Sequence, residues 1–401
     1  MEILGPNKTT FKITPLSFEN TEIAFRHESN PDLKRAYWLF KIINLNFLVK
    51  IGPPLTNFAF KIGLPIKSLI KATVFDHFCG GETIAECEPT IRNLQSGNVG
   101  TILDYSVEGE NEEAVFDETR DQIIATIKRA KGDAAIPLTV FKVTGVGSFE
   151  LLEKADAGLT FSPEEEIAWK KIFDRVDLIC QTAFDLNVPI MVDAEETWIQ
   201  RTIDLLAMNM MRQYNQKKAI VYNTYQLYRH DKLVSLVEDY KTTVEEGFLL
   251  GAKLVRGAYL EKENKRAAKK GYLTLIQPDK TATDRDYNLA MRFCVEHLDR
   301  IAFVAGTHNE QSCKLLADLL NQHQIAHNHP HVYFSQLLGM SDNLSFNLSN
   351  AGYNVAKYVP YGPVKAVLPY LFRRAQENTA IAGQTSRELG LISKEKKRRG
   401  I

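Results

Sequence analysis

The segment PIMVDAEETWIQRTIDLLAMNMMRQYNQKKAIVYNTY, residues 189–225, decides the fold. It opens on a short apolar run, PIMVDAE (189–195), crosses a helix-period stretch, TWIQRTIDLLAMNMMRQYN (197–215), and closes on a second apolar run, AIVYNTY (219–225). Strand, helix and strand in that order make a βαβ unit with parallel strands. Outward from it lie six more apolar runs: VGTILDY (99–105), PLTVFKV (137–143), GAKLVRG (251–257), IAFVAGTH (301–308), HVYFSQLLG (331–339) and NVAKYVPYG (354–362). Helical patterns such as NEQSCKLLADLLNQHQ (309–324) separate them. Eight such units close into a (β/α)8, TIM-like barrel over residues 96–385. Residues 1–95 read as a helical N-terminal region, and 386–401, ending KEKKRRGI, as a basic C-terminal tail. An open doubly wound sheet is the alternative, but GVGSFE (145–150) lacks the third glycine of a dinucleotide fingerprint and no GxxxxGK[ST] loop occurs.

Composition removes several function classes. The 401 residues carry 49 Lys+Arg against 49 Asp+Glu, so no net field favours nucleic acid. Five cysteines, none in CxxC spacing, argue against a disulfide framework or a zinc ribbon and for a reducing, cytoplasmic setting. No apolar run reaches the roughly 18 residues of a membrane span. The apolar N-terminal region and the basic tail do offer peripheral contact with the inner face of a membrane.

A barrel places chemistry at the C-terminal ends of its strands. Read in order, those ends are Asp104 to Glu108, Lys142, Asp193 with Glu195 and Glu196, Asn223 with Tyr225, Lys253 to Tyr259, Thr307 to Asn309, and Tyr358. Each is polar where a buried parallel strand would stay apolar. The same geometry sends His323, His327, His329 and His331, which precede the seventh strand, to the opposite mouth. His308 is the better functional candidate, and no His/Asp/Glu set with metal spacing lies on the productive face.

Near the end of the chain, Tyr370, Arg373, Arg374 and Glu377 share one helix face at about 100° per residue, opposite Leu368, Leu371, Phe372 and Ala375. If that helix bends over the barrel, Lys142, Arg373 and Arg374 form a cationic trio suited to a small carboxylate. Tyr259, Tyr358 and Tyr370 supply its flat walls.

The set LDYSVEGE (103–110), FKVTG (141–145), DAEE (193–196), NTYQ (223–226), KLVRGAYLEKE (253–263), TDRDY (283–287), GTHN (306–309) and YLFRRAQEN (370–378) resembles the proline dehydrogenases, in motif order and over about residues 20–385. The wording of KLVRGAY and QLLGM is nearest the monofunctional, mitochondrial-like branch. The resemblance implies a distorted barrel whose eighth helix lies over the active site. It implies FAD as cofactor and oxidation of L-proline to Δ1-pyrroline-5-carboxylate by hydride transfer to flavin N5, the first step of proline catabolism to glutamate. Electrons would pass to a quinone, and the product to a separate pyrroline-5-carboxylate dehydrogenase, since only 386–401 follows the barrel.

Carried over residue by residue, Lys142, Arg373 and Arg374 would hold the proline carboxylate, with Tyr259, Tyr358, Tyr370 and Leu337 on its ring. Glu108 would pair with Arg373, with Asp104 nearby. Asp193 and Ala194 would lie beside the isoalloxazine, Lys253 near its reactive nitrogens, and Asn223, in place of a glutamine, at its pyrimidine edge. Val255, Gly257, Ala258 and Tyr259 would follow the ribityl chain and phosphates. Lys280, Thr307, His308 and Asn309 would serve the adenine half, and Glu377 would hold the cofactor from the last helix. A Schiff-base barrel using Lys142 or Lys253 is the rival enzyme class, but it gives the arginine pair no task. A non-catalytic binding barrel is the third reading.

Overall fold

Each of the eight apolar runs is a strand in the computed structural model, which describes residues 16–43, 56, 66–107, 112–380 and 384–401, with the side chains of 43, 375–380 and 384–386 excepted. The strands are β1 (Gly100–Tyr105), β2 (Leu138–Phe141), β3 (Ile190–Val192), β4 (Val221–Gln226), β5 (Leu250–Val255), β6 (Ile301–Gly306), β7 (Val332–Leu337) and β8 (Val355–Tyr361). They pair in sequence order, all parallel, and β8 returns to β1 to close the barrel. Ile102 of β1 sits in register with Leu138 on one side and Tyr358 on the other.

Local chemistry sets the helices between the strands. Ser162 and Glu165 form a reciprocal capping box with Pro163 at the first turn, which starts the helix Pro163–Asp185. Asp279 accepts the Ala282 N–H at 2.8 Å and starts the helix Lys280–Glu296. Gly247, in the left-handed region, ends the helix Lys232–Glu246.

The period of two along each strand splits the core. Ile102, Leu138, Val140, Met191, Tyr222, Ala302, Val304, Ala356 and Tyr358 fill the inside of the barrel. Leu103, Phe141, Val192, Tyr225, Leu254, Phe303, Phe334 and Val359 face outward into the main core beneath the helices. Tyr222 fits inside because Gly251 leaves it room: a Cβ there would meet the Val221 carbonyl at 2.2 Å and the Tyr222 ring at 2.9 Å. The five cysteines are buried and unpaired.

The C-terminal residues, expected as a solvated basic tail, instead form a packed helix, Gln384–Arg399. Leu391 and Ile392 join Phe25, Leu33, Ala36 and Phe40 of the N-terminal helices in a core of their own. Glu395, fully buried, holds Arg398 at 2.8 Å and Arg399 at 2.8 Å. The basic residues therefore serve this junction as well as facing outward.

Candidate active site

The inward positions that close the barrel from above are polar. Two residues beyond Met191 on the inward face stands Asp193; one pleat beyond Val140 stands Lys142; one beyond Ile102 stands Asp104. Asp193 accepts hydrogen bonds from Lys253 Nζ at 2.5 Å and Tyr358 Oη at 2.8 Å, and Lys142 Nζ lies 3.3 Å away. Lys142 also donates to Tyr358 Oη at 3.2 Å and to Asp104 Oδ2 at 3.4 Å. Lys253 stands 4.9 Å from the centre of the Tyr358 ring. Five of the expected residues, from five different strands, thus make one connected network. Burial would raise the Asp193 carboxyl, but Lys253 and Lys142 outweigh it and hold the group down to about 2. Burial and the neighbouring carboxylates push the Tyr358 phenol far above its ordinary range.

The helix Val364–Ala380 follows β8 and meets the residues at the ends of β5 and β7. Its Arg373 guanidinium lies 5.8 Å from the centre of the Tyr259 ring, in the segment after β5. Its Tyr370 shares an apolar cluster with Leu337 at the end of β7, and Arg374 is buried 5.1 Å from the Tyr370 ring. The arginine face therefore looks onto the barrel rather than into water. Glu108 and the Glu377 side chain lie outside the described residues.

On the β5–β6 side, Val255 is half-buried and Gly257 and Ala258 are exposed. Gly257 has φ 129°, and a Cβ would strike the Tyr228 ring at 2.4 Å, so the position is closed to other residues. Thr307 is buried and accepts from Arg256 at 2.7 Å, while Asn309 caps the following helix through Ser312 N at 3.0 Å. His308 Nδ1 meets Ser341 Oγ at 2.9 Å. Burial, then the charges of Lys357, Arg374 and Arg256, lower His308 to about 3, so its imidazole is neutral. Ala194 is half-buried beside Asp193. Lys280 stays at the exposed start of its helix, paired with Asp284, which in turn binds Arg256 at 2.7 Å.

One expectation fails. Asn223 points out of the barrel and donates to Asp204 of the helix Thr197–Tyr214 at 2.9 Å. Tyr225, on the same side, donates to Asp239 at 2.7 Å. The alternation of β4 turns Tyr222, Thr224 and Gln226 inward instead. Gln226 donates to the Glu195 carbonyl at 2.9 Å, while its buried Oε1 has no hydrogen-bond partner among the described residues. Gln226, the last letter of NTYQ, is the polar side chain that β4 does turn inward, and counting pleats from Tyr222 finds it. Arg256 was missed. It ties Asp284, Thr307 and Ser312 together at 2.7–2.9 Å and so sets the β6 end of the mouth.

Three of the four histidines before β7 bond locally, His327 to the Ala351 carbonyl at 2.9 Å, His329 to the His331 N–H at 3.2 Å and His331 to the Leu298 carbonyl at 2.8 Å. No metal-ligand cluster occurs among the described residues.

A family model described as proline dehydrogenase matches residues 87–387. Mitochondrial proline dehydrogenase 1 of Dictyostelium discoideum is 33% identical over 95% of this chain and 74% of its own length. The carbapenem antibiotics biosynthesis protein CarD of Pectobacterium carotovorum is 35% identical over 83% of this chain and 85% of its own. Among solved structures, proline utilization A from Bdellovibrio bacteriovorus, inactivated by N-propargylglycine, superposes with a TM-score of 0.71 at 17% identity, over 90% of this chain. The chain spans 38% of that longer protein, a likeness that supports the fold.

Proposed function

Because this chain belongs to the proline dehydrogenase family, we propose that its barrel oxidises L-proline to Δ1-pyrroline-5-carboxylate with FAD as the redox partner. The observation that carries the reading is the helix of Arg373 and Arg374 laid over a mouth that already holds Lys142, Lys253, Asp193 and Tyr358.

The residues present suit a flavin. Gln226 Oε1, buried without a partner among the described residues, is an acceptor suited to the N–H of a pyrimidine edge. Asp193, Ala194 and Lys253 would flank the tricycle, Val255, Gly257, Ala258 and Tyr259 the ribityl and phosphate chain, and Thr307, His308 and Asn309 the far half. Lys280 would act there from the rim, and Glu377 would complete the hold from the last helix. When bound, the flavin supplies the hydride acceptor, and the amine loses one proton as the C=N bond forms.

The chain's own work is alignment and charge. Arg373, Arg374 and Lys142 would fix the substrate carboxylate, which restricts the ring to one approach. Tyr259, Tyr358, Tyr370 and Leu337 would wall the ring, with Asp104 and Glu108 at the rim. Asp193, held ionised near 2 by its two lysines, is a fixed negative charge rather than a proton acceptor at neutral pH. Lys253 carries the positive charge that stabilises electron density gained by the cofactor.

On the same reading, electrons leave to a quinone and a separate pyrroline-5-carboxylate dehydrogenase consumes the product. No described helix is long and apolar enough to cross a membrane. Anaerobic titration with L-proline tests the proposal directly. The flavin absorbance should bleach in proportion to added substrate, and a colourless protein or an unbleached band would overturn it.

A further inference from the structure

The segment that leaves β5 carries a helix, Leu260–Lys270, whose two faces differ in chemistry. Its inner face is tied to the segments that follow β2 and β3. Glu263 accepts the Thr197 N–H at 2.8 Å and the Thr197 hydroxyl at 2.7 Å. Lys262 pairs with Glu196, and Arg266 pairs with Glu153 while its guanidinium lies 4.1 Å from the centre of the Trp198 ring. The outer face has no such partners. Lys265, Lys269 and Lys270 are exposed and make no ion pair among the described residues, and Glu261 is the one exposed carboxylate between residues 260 and 274.

Beside these lysines the chain exposes apolar side chains on an anchored turn. Leu273 is 94% exposed, and Leu260 and Tyr272 are exposed as well. Gly271, at φ 76°, ends the helix with its N–H on the Ala267 carbonyl at 2.8 Å, and the Tyr272 N–H reaches the same carbonyl at 3.2 Å. Beyond the tip, Thr274 donates to Asn264 Oδ1 at 3.0 Å, Leu275 accepts the His230 N–H at 3.0 Å, and Ile276 is buried. Asn264 is four residues from Leu260, so the turn runs back along the side of the helix that carries Leu260. Lys265 and Lys269 lie about 100° further round. Leu273 is therefore held out by a fixed turn, next to a row of cations.

We propose that this helix and its turn are a docking surface for an anionic lipid bilayer. The surface is read from its own residues; its use, bringing the mouth to a bilayer that holds a quinone, rests on the proposed function. Charge selects the partner. The whole chain balances 49 Lys+Arg against 49 Asp+Glu, so attraction to anionic lipid requires a local excess, and three exposed lysines against Glu261 supply one. Apolar side chains next to that charge enter the headgroup region once the lysines hold the surface there, and Leu260, Tyr272 and Leu273 stand in that place. A tyrosine suits the boundary, with its ring toward the chains and its hydroxyl among the headgroups. The C-terminal helix is the weaker candidate: Arg387, Arg398 and Arg399 are paired with carboxylates, and Lys396 lies 3.9 Å from the centre of the Tyr37 ring. The docking helix begins directly after Tyr259, whose ring lies 5.8 Å from Arg373, so a bilayer on this surface borders the productive mouth and not the opposite one.

The test uses the full-length protein with vesicles of mixed phosphatidylcholine and phosphatidylglycerol, and with pure phosphatidylcholine as the neutral surface. Co-sedimentation should show binding to the mixed vesicles that weakens with salt, and none to the neutral ones. Lys265→Gln/Lys269→Gln/Lys270→Gln should weaken binding about a hundredfold, three charges at about fivefold each. Leu273→Ser should weaken it about tenfold. Lys131→Gln/Lys217→Gln/Lys218→Gln removes the same charge from exposed residues that precede β2 and β4, at the opposite mouth, and should bind as wild type does. Every change is at an exposed side chain, and an unchanged thermal midpoint checks the fold. With proline and a soluble dye as acceptor, all variants should turn over like wild type; with a quinone dissolved in the mixed vesicles, the first two should slow in step with their binding. Absent binding to the mixed vesicles, equal binding to the neutral ones, binding that survives the first variant, or an equal loss in the far-mouth variant would overturn the inference. Self-association that Leu273→Ser abolishes, without vesicle binding, would assign the surface to a second copy and overturn it too. A wild type that leaves the dye unreduced would instead overturn the proposed function, while sedimentation would still decide the surface.

Discussion

Replacing Asp193 by asparagine isolates the charge at the centre of the mouth. The side chain keeps its shape and an acceptor oxygen, but Lys253 at 2.5 Å and Lys142 at 3.3 Å lose their shared counter-ion. Removing one partner of a buried ion pair costs about 3–5 kcal/mol. Here the lower end applies, because Lys142 keeps Asp104 at 3.4 Å and Tyr358 Oη at 3.2 Å. The depressed carboxyl gives an independent figure: a fall from 3.8 to about 2 corresponds to about 2 kcal/mol of native-state preference for the ionised form. Both routes point to a loss of about 2–3 kcal/mol, roughly a hundredfold in the folding equilibrium. Urea unfolding at neutral pH should show the midpoint fall with an unchanged slope. The sign with pH follows from the direction of the shift. A carboxyl lowered in the native state contributes its stability above 3.8 and loses it as pH falls toward 2, so the gap between wild type and variant should close over that window. Asp193→Asn/Lys253→Met should lose less than the two single losses combined, since the orphaned charge leaves with its partner. A variant within about 0.5 kcal/mol of wild type at neutral pH, the scale of a surface substitution, would refute the network as drawn.

Other changes probe the site from its edges. Arg373→Met or Arg374→Met should raise KM for proline about 10- to 100-fold while flavin stays bound, because each removes a charged hydrogen bond to the carboxylate; loss of flavin with unchanged KM would reverse the assignment. Replacing His323, His327, His329 and His331 with glutamine should leave turnover within a few fold, a direct check that the far mouth is inert. Glu28, raised to about 7 chiefly by burial and then by Asp342, destabilises the fold once ionised. Glu28→Gln should therefore raise stability by about 3 kcal/mol in urea unfolding above that value and leave it unchanged below 4.5, where the carboxyl is neutral in the folded and the unfolded chain alike.

What could be read in the chain follows from the range of the physics involved. Parallel strands buried on both faces must be short apolar runs, so all eight were visible without knowledge of their neighbours. Barrel geometry then ordered their polar ends, and Asp104, Lys142, Asp193, Lys253 and Tyr358 do meet. Within β4 the error was one of parity: Asn223 is polar and near the strand end, but its pleat delivers it to Asp204, and Gln226 takes the inward place. Motif recognition located the segment, and only the period of two tells which of its residues faces inward.

The C-terminal helix escaped for a different reason. Its apolar content is small, and a segment this basic reads as solvated when weighed alone. Burial comes from Phe25, Leu33, Ala36 and Phe40, more than three hundred residues away, and no local pattern announces such a partner. Yet this helix carries Glu388, which accepts the Ser341 N–H in the turn that leaves β7, while the N-terminal residues that cover it include Glu28 and bring His77 to the same turn. Both ends of the chain therefore converge on one side of the mouth, next to β7. A (β/α)8 barrel builds its site from eight loops that are otherwise independent of one another. Here the loop after β7 is also held by both ends of the chain, through Glu388 at Ser341 and His77 at Gly339. Loss of that distant helix should accordingly loosen the turn after β7, read as faster amide exchange at Ser341, before it reaches the barrel, whose own closed network does not pass through that turn.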